Sequence, residues 1–325
     1  MTRVVVLGLD ALDIELAEEF GVAEQFGAHR RKLDTWINPA TDEPHTKELW
    51  PSMISGLHPD DHGIHAVSEG DGGVEWAHPL LNTASALANG IVPKPVLNAI
   101  GARLRERGAA LEGYSTDYYD ENEIQTVFDG VEALPISIPN YETAHDRQLG
   151  LDANRDDVWA ELAVDRSGEG TDFAPGIDMS AVHDILGREM GRRTSLAIHG
   201  IADGYPLVWV WYGVLDTVGH MAPAVDAPLE RHYYELAASQ TAAIRALAPD
   251  DAIILAVSDH GIQEGQHTHH ATLCSDGPEP VDEIGHVFEL ADWLDAQTIE
   301  GHAGGRVDAD ELKTANKRLG DLGYI

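Results

Sequence analysis

One cysteine, Cys274, stands among 325 residues, which excludes an intrachain disulfide. Lysine is almost as scarce: Lys32, Lys47, Lys94, Lys313 and Lys317 are all of it. Lys and Arg together number 21 against 56 Asp and Glu, a formal net charge of −35. A surface that negative argues against a nucleic-acid polymer as partner, because phosphates are neutralised by Lys and Arg. It leaves small anionic substrates open, since bound cations reverse the local field. No apolar run approaches the roughly 20 residues of a membrane span. None has the layout of a secretory leader either, since the first run starts almost at Met1 and breaks at Asp10. The expectation is a soluble, cytoplasmic protein without a membrane partner. Acidic excess with few Lys looks like a halophile's protein from a high-salt cytoplasm. There, surface carboxylates hold water and salt screens their repulsion. Such charge also accompanies disorder, but the apolar runs and seven Trp argue against it.

What is present is a set of short apolar runs that end in acids. Arg3–Leu9 (RVVVLGL) reads as a buried strand, and Asp10 follows it. Asp13–Phe20 then has helical spacing with acids early, as a helix start prefers. Strand, acid, helix is how a doubly wound α/β sheet opens, and such sheets build sites at the carboxyl ends of their strands. Pro206–Val214 (PLVWVWYGV) is a second apolar strand, followed by Asp216 and His220. Ala252–Val257 is a third, followed by Ser258-Asp259-His260-Gly261 and then His267. Thr46 stands at the start of a helix of about ten residues that ends at Gly56, with Pro51 in its early part, where a missing N–H costs least. A helix start favours an anion; the plain alternative is that Thr46 only caps the helix.

Helices are also expected at Val96–Arg107, Met179–Ile201, Leu229–Leu247, Val287–Leu294 and Asp308–Leu319, and strands at Ala133–Pro139 and Thr268–Ser275. The expected fold class is α/β: a mainly parallel central sheet with helices on both faces, forming one domain over 1–325. Residues from about 64 to 200 read as an inserted cap-like region that carries substrate contacts; irregular connections within one sheet are the alternative.

If the three strands are neighbours, Asp10, Asp216, His220, Asp259, His260 and His267 meet at one sheet edge with Thr46 facing them. Six N/O ligands are too many for one tetrahedral zinc and fit two ions. Two dications about 4 Å apart clamp an in-line displacement at phosphorus. His269 and His270 are rivals to His267. On a strand after His267, His269 would share its side and His270 would take the other.

The order and spacing of these motifs resemble the alkaline phosphatase superfamily. That family has an Asp after its first strand, a Ser or Thr nucleophile at a helix start, a D-x-x-x-H pair, an S-D-H-G segment and a late His-Thr. Here these are Asp10, Thr46, Asp216 with His220, Ser258 to Gly261, and His267-Thr268. Thr46 lies ten residues before Gly56, with Pro59, His62 and Gly63 following. This looks like the nucleophile region of the type I phosphodiesterase/nucleotide pyrophosphatase branch. One departure is Glu48, where that branch commonly has Pro two residues after the nucleophile; Thr41 is the rival nucleophile. The likeness covers the beginning and last third of the chain.

The resemblance implies two divalent ions, Zn²⁺ first and Mn²⁺ as the alternative. Asp216, His220 and His267 would hold one; Asp10, Asp259, His260 and Thr46 Oγ would hold the other. Thr46 would attack phosphorus and become a phosphothreonine, with Lys47 on a non-bridging oxygen of a small phosphorylated substrate. The implied activity is a metal-dependent phosphodiesterase or nucleotide pyrophosphatase. The alternatives are a phosphomonoesterase on the same core and a metal-binding protein without turnover. A sulfatase is disfavoured, since Cys274 lies in no C-x-P-x-R pattern.

Overall fold

A computed structural model describes residues 2–65, 114–151, 179–225, 228–297 and 299. In chain order its elements begin with β1 (Val4–Leu9), α1 (Ile14–Glu19), α2 (Ala23–Phe26), β2 (His29–Asp34), α3 (Thr46–Ser55) and α4 (Pro59–His62). After residue 113 come α5 (Thr116–Glu121), β3 (Ala133–Ile136) and α6 (Ala144–Leu149). Then follow α7 (Met179–Asp203), β4 (Leu207–Tyr212), α8 (Val214–Met221), α9 (Leu229–Leu247) and β5 (Ile253–Val257). The described chain closes with β6 (Gly261–Gln263), β7 (Gln266–Thr268), β8 (His270–Ser275), α10 (Glu279–Glu283) and α11 (Glu289–Ala296).

β1 is central because both its faces are apolar, and every residue of it is buried. Its alternate residues feed two separate cores: Val5, Leu7 and Leu9 on one side, Val4 and Val6 on the other. Helices α1, α2, α7 and α9 close the first core, and α3, α10 and α11 close the second. β4 and β5 flank β1, both parallel to it, with Leu9 opposite Tyr212 and Gly8 opposite Val257. That register brings three strand ends level. The sheet order is β2-β8-β5-β1-β4-β3. β3 joins β4 in parallel, while β8 is antiparallel to both β5 and β2, so β8 alone opposes the others. β3 and α7, from within 64–200, are thus part of the sheet and its cover. Residues 66–113, with the expected helix Val96–Arg107, and 152–178 of the expected insertion lie outside the described residues, as does Asp308–Leu319. Among the described residues no helix is long and apolar enough to cross a membrane.

Helix α3 is seated by a close approach. Trp50 is fully buried, and a Cβ on Gly8 would lie 2.7 Å from its ring. Only glycine lets that ring rest on β1. Emptying the space by Trp50→Ala would cost about 3–5 kcal/mol. Gly8 follows Val4 and Val6 on the α3 side, and Asp10 is the next position on that side, so the seating brings the start of α3 to Asp10. The helix itself departs from expectation at Pro51. Counting from Thr46, Pro51 is the sixth helical residue, past the first turn where proline is free of cost. Its missing N–H leaves the carbonyl of Lys47 without the usual donor four residues on. Asn140, in the loop after β3, donates its Nδ2 to that carbonyl at 2.7 Å.

Candidate metal centre

Asp10 follows β1 directly, and its N–H donates to the Tyr212 carbonyl at 2.9 Å. Asp259 and His260 follow β5 after Ser258. All three are fully buried. Ser258 ties the two turns together: its Oγ donates to the Leu12 carbonyl and accepts from the Thr272 N–H, both at 2.9 Å. Thr35 Oγ1 holds the Asp259 carbonyl at 2.8 Å. His260 Nε2 then lies 3.4 Å from Asp10 Oδ1 and 3.5 Å from Asp259 Oδ2. Thr46 Oγ1 faces this group, 3.3 and 3.4 Å from the two Asp10 oxygens and 3.3 Å from His260 Nε2. His45, not Thr46, occupies the cap position, and Thr46 opens the helix with its hydroxyl turned to the acids.

The second group is built on α8 and a hairpin. Asp216 and His220 lie on α8, so their four-residue spacing puts them on one helix face. His220 Nε2 is 3.3 Å from Asp216 Oδ1. β6 and β7 pair through a two-residue loop, Glu264-Gly265, whose φ values of 51° and 79° are both positive, as a type I′ turn requires. The hairpin folds His267 back so that its ring stacks on His260, with centroids 4.1 Å apart. His267 Nε2 lies 3.0 Å from His220 Nε2 and 3.4 Å from Asp216 Oδ1. The expected strand from Thr268 to Ser275 is broken: β7 ends at Thr268 and β8 starts at His270. The alternation across that break is lost, so His269 does not share the side of His267. Its Nε2 meets the Asp42 carbonyl at 3.0 Å, and His270 Nε2 stands 3.7 Å from Asp13 Oδ2.

The three inward imidazoles share one arrangement. Nδ1 of His220 faces the Gly265 carbonyl at 2.9 Å, Nδ1 of His260 the Gly261 carbonyl at 3.1 Å, and Nδ1 of His267 the Pro44 carbonyl at 3.1 Å. A carbonyl only accepts, so each neutral ring places its proton on Nδ1 and its lone pair on Nε2, toward the carboxylates. Donor atoms of Asp10, Asp259 and His260 lie within 4.8 Å of one another, as do those of Asp216, His260 and His267. His260 is common to both groupings, and His220 Nε2, 3.3 Å from Asp216 Oδ1 and 3.0 Å from His267 Nε2, adjoins the second.

The electrostatics fit cations. Burial pushes the Asp259 carboxyl up to about 6; the charge of Asp216 adds to this, while Thr46 and Asp10 oppose it. Neither Asp259 oxygen receives a hydrogen bond of good geometry. Burial and the neighbouring His267 push His260 down to about 4. For His267 burial acts downward, but the hydrogen bond and charge of Asp216, with Asp10 and Asp259, outweigh it and raise the ring to about 9. His220 is also raised, burial being outweighed by Asp216. Three carboxylates this close in a dry interior repel one another unless positive charge is placed between them. Carboxylate and imidazole donors suit a divalent metal ion.

The remaining candidates fall elsewhere. Lys47 is exposed on the second residue of α3. Thr41 is exposed and bonds His45 Nε2 at 2.7 Å. His58 caps α4, and His62 is buried against Ser52 Oγ at 2.9 Å. His286 accepts from the Phe288 N–H, and His302 lies outside the described residues. Sequence reasoning missed Thr35, the Pro44 carbonyl and the hairpin. Gly265, flanked by Gln263-Glu264 and Gln266, was the one signal for the turn.

No family model matches the chain, and no curated protein does. Among solved structures the chain is similar to murine ectonucleotide pyrophosphatase/phosphodiesterase 5, at 12% identity and a TM-score of 0.41, over 80% of this chain and 57% of that one. Phosphonoacetate hydrolase from Sinorhizobium meliloti is similar at 16% identity and 0.40, over 80% and 56%. Alkaline phosphatase from the Antarctic bacterium TAB5 is similar at 12% and 0.37, over 90% and 96%. The chain therefore spans 57% of the length of the murine protein.

Proposed function

We propose that this chain is a metal-dependent phosphoric-ester hydrolase of the alkaline phosphatase superfamily, acting on a small phosphodiester or nucleotide pyrophosphate through a covalent phosphothreonine on Thr46. The observation that carries the reading is the placement of Thr46 Oγ1 at the start of α3, within 3.4 Å of both Asp10 oxygens and His260 Nε2. Asp10, Asp259 and His260, with Thr46, are the ligands proposed for one divalent ion, and Asp216, His220 and His267 those for a second. Bound there, such ions supply Lewis acidity toward a phosphoryl group and favour the ionised hydroxyl.

The residues themselves do the rest. Thr46 Oγ forms a bond to phosphorus as the bond from phosphorus to the leaving oxygen breaks. Asp10 and His260 face the hydroxyl and orient it, and Asp10 accepts its hydrogen bond. The other ester substituent stays on phosphorus; water then cleaves this esterified phosphothreonine, releasing a phosphomonoester and freeing Thr46. Backbone N–H groups at the start of α3 are the donors proposed for a non-bridging oxygen, with the exposed Lys47 as the cation proposed to reach it.

The test compares bis-p-nitrophenyl phosphate with p-nitrophenyl phosphate, in high salt with Zn²⁺ or Mn²⁺, for the natural protein and Thr46→Ala. Diester preference lost on substitution supports the proposal. Monoester preference replaces it with a phosphomonoesterase, and bound metal without turnover replaces it with a binding role.

A further inference from the structure

Pro51 has no N–H to offer the carbonyl of Lys47, four residues back and next after Thr46. The carbonyl is met instead from outside the helix, by Asn140 Nδ2 at 2.7 Å. The orientation of that amide is fixed by its two contacts. A carbonyl can only accept, so Nδ2 must face Lys47. Asn140 Oδ1 faces the Tyr114 N–H at 3.4 Å. Asn140 is buried and holds a left-handed backbone, φ 57°, which asparagine tolerates better than most residues. The Asn140 carbonyl accepts from Tyr119 Oη at 3.0 Å. Its neighbour Ser137, also at positive φ, is held by Asp146, which closes a capping box with Thr143. The loop after β3 is therefore tied down at both ends and presents one amide to the first turn of α3. β3 runs parallel to β4, and its last residue, Ile136, lies opposite Val210, so the loop after it continues toward this edge of the sheet.

We infer that Asn140 is a positioning residue for the nucleophile: it replaces the hydrogen bond that Pro51 removes and so fixes the turn Thr46–Lys47. This rests on the reading of Thr46 as nucleophile. Asn140 touches no reacting atom; it acts through the backbone of Lys47.

The experiment is a double-mutant cycle between Asn140 and Pro51. Asn140→Gly removes the amide and suits the left-handed backbone without strain. Asn140→Asp keeps the shape and has no donor for the carbonyl. Pro51→Ala returns a backbone N–H to the helix, in reach of Lys47. Two readouts are taken on the full chain: diester turnover with Zn²⁺ or Mn²⁺, and hydrogen exchange of the segment 46–55 in metal-free protein. Both Asn140 variants are expected to speed exchange in that segment. They are also expected to lower kcat on the order of 10- to 100-fold, the cost of a nucleophile displaced by about 1 Å, with KM and metal stoichiometry little changed. Adding Pro51→Ala is expected to recover most of both losses, whereas a role in general stability would not be rescued at that one position. Unchanged kcat in the Asn140 variants overturns the inference, and so does a double variant no better than the single one. If Thr46→Ala keeps full turnover, the nucleophile reading fails instead, and the exchange data still report whether the Asn140 bond replaces the helical one.

Discussion

Asp259→Asn is expected to make the metal-free protein more stable and the metal-loaded protein less so. Burial raises the Asp259 carboxyl from 3.8 to about 6. The folded state then holds this proton more tightly than the unfolded chain does. Stability therefore falls as pH rises from about 4 through about 6, and the deficit is complete above that. The difference of roughly 2 pH units corresponds to about 3 kcal/mol at about 1.4 kcal/mol per unit. The Asn amide also needs partners in a buried site, so about 3 kcal/mol is the ceiling of the gain. At about 0.7 kcal/mol per degree for a chain of this size, the ceiling is a rise in Tm of roughly 4 °C. The assay is thermal unfolding in chelator at pH 8 and pH 4, repeated at pH 8 with excess Zn²⁺. In chelator the variant should gain at pH 8 and not at pH 4. With Zn²⁺ the order should reverse, because binding to the folded state stabilises only the protein that keeps the ligand. A variant less stable than the natural protein at pH 8 in chelator would refute the claim that this carboxylate is an uncompensated buried charge.

His62 provides a separate pH dependence. Burial pushes it down to about 4, so between pH 6.5 and 4 the unfolded chain takes up a proton that the folded protein does not. Stability should fall by about 3 kcal/mol as pH drops through that window, and denaturant melts of His62→Gln should lack this component of the slope. The net charge of −35 predicts that Tm rises as KCl is raised from about 0.1 M to above 1 M, where the screening length shrinks from about 10 Å to about 3 Å; a flat dependence would exclude self-repulsion as a significant destabilising force.

Elements whose sequence carries one clear period were legible. β1, β4 and β5 are continuous apolar runs because both sheet faces are covered. α9 runs over Leu229–Leu247, the span its amphipathic pattern indicates. β2 was not legible: His29-Arg30-Arg31-Lys32 is an edge strand with one buried residue, Leu33, and nothing apolar alternates along it. β6 and β7 have three residues each, too short for any period, so the hairpin that returns His267 to His260 was hidden. The break at His269 was hidden for the same reason. The helix starts at Thr46 as expected, but Pro51 is its sixth residue, past the first turn. Asn140, which donates to the Lys47 carbonyl, lies 93 residues from Lys47, a separation at which no local pattern speaks. The ligand-type residues were legible because each follows a readable strand or opens a readable helix. Their grouping depended on strand order, which the parallel register of β5, β1 and β4 supplies.

The central claim is tested most directly by trapping the covalent species. Brief reaction of the metal-loaded protein with a diester substrate, quenched in acid and digested, should give a peptide in which Thr46, and no other residue, carries the substrate's phosphoryl group with its retained ester substituent. The same peptide should be unmodified in Asp10→Ala protein. Turnover that proceeds with no such adduct on Thr46, or with the adduct on a different side chain, would contradict the account.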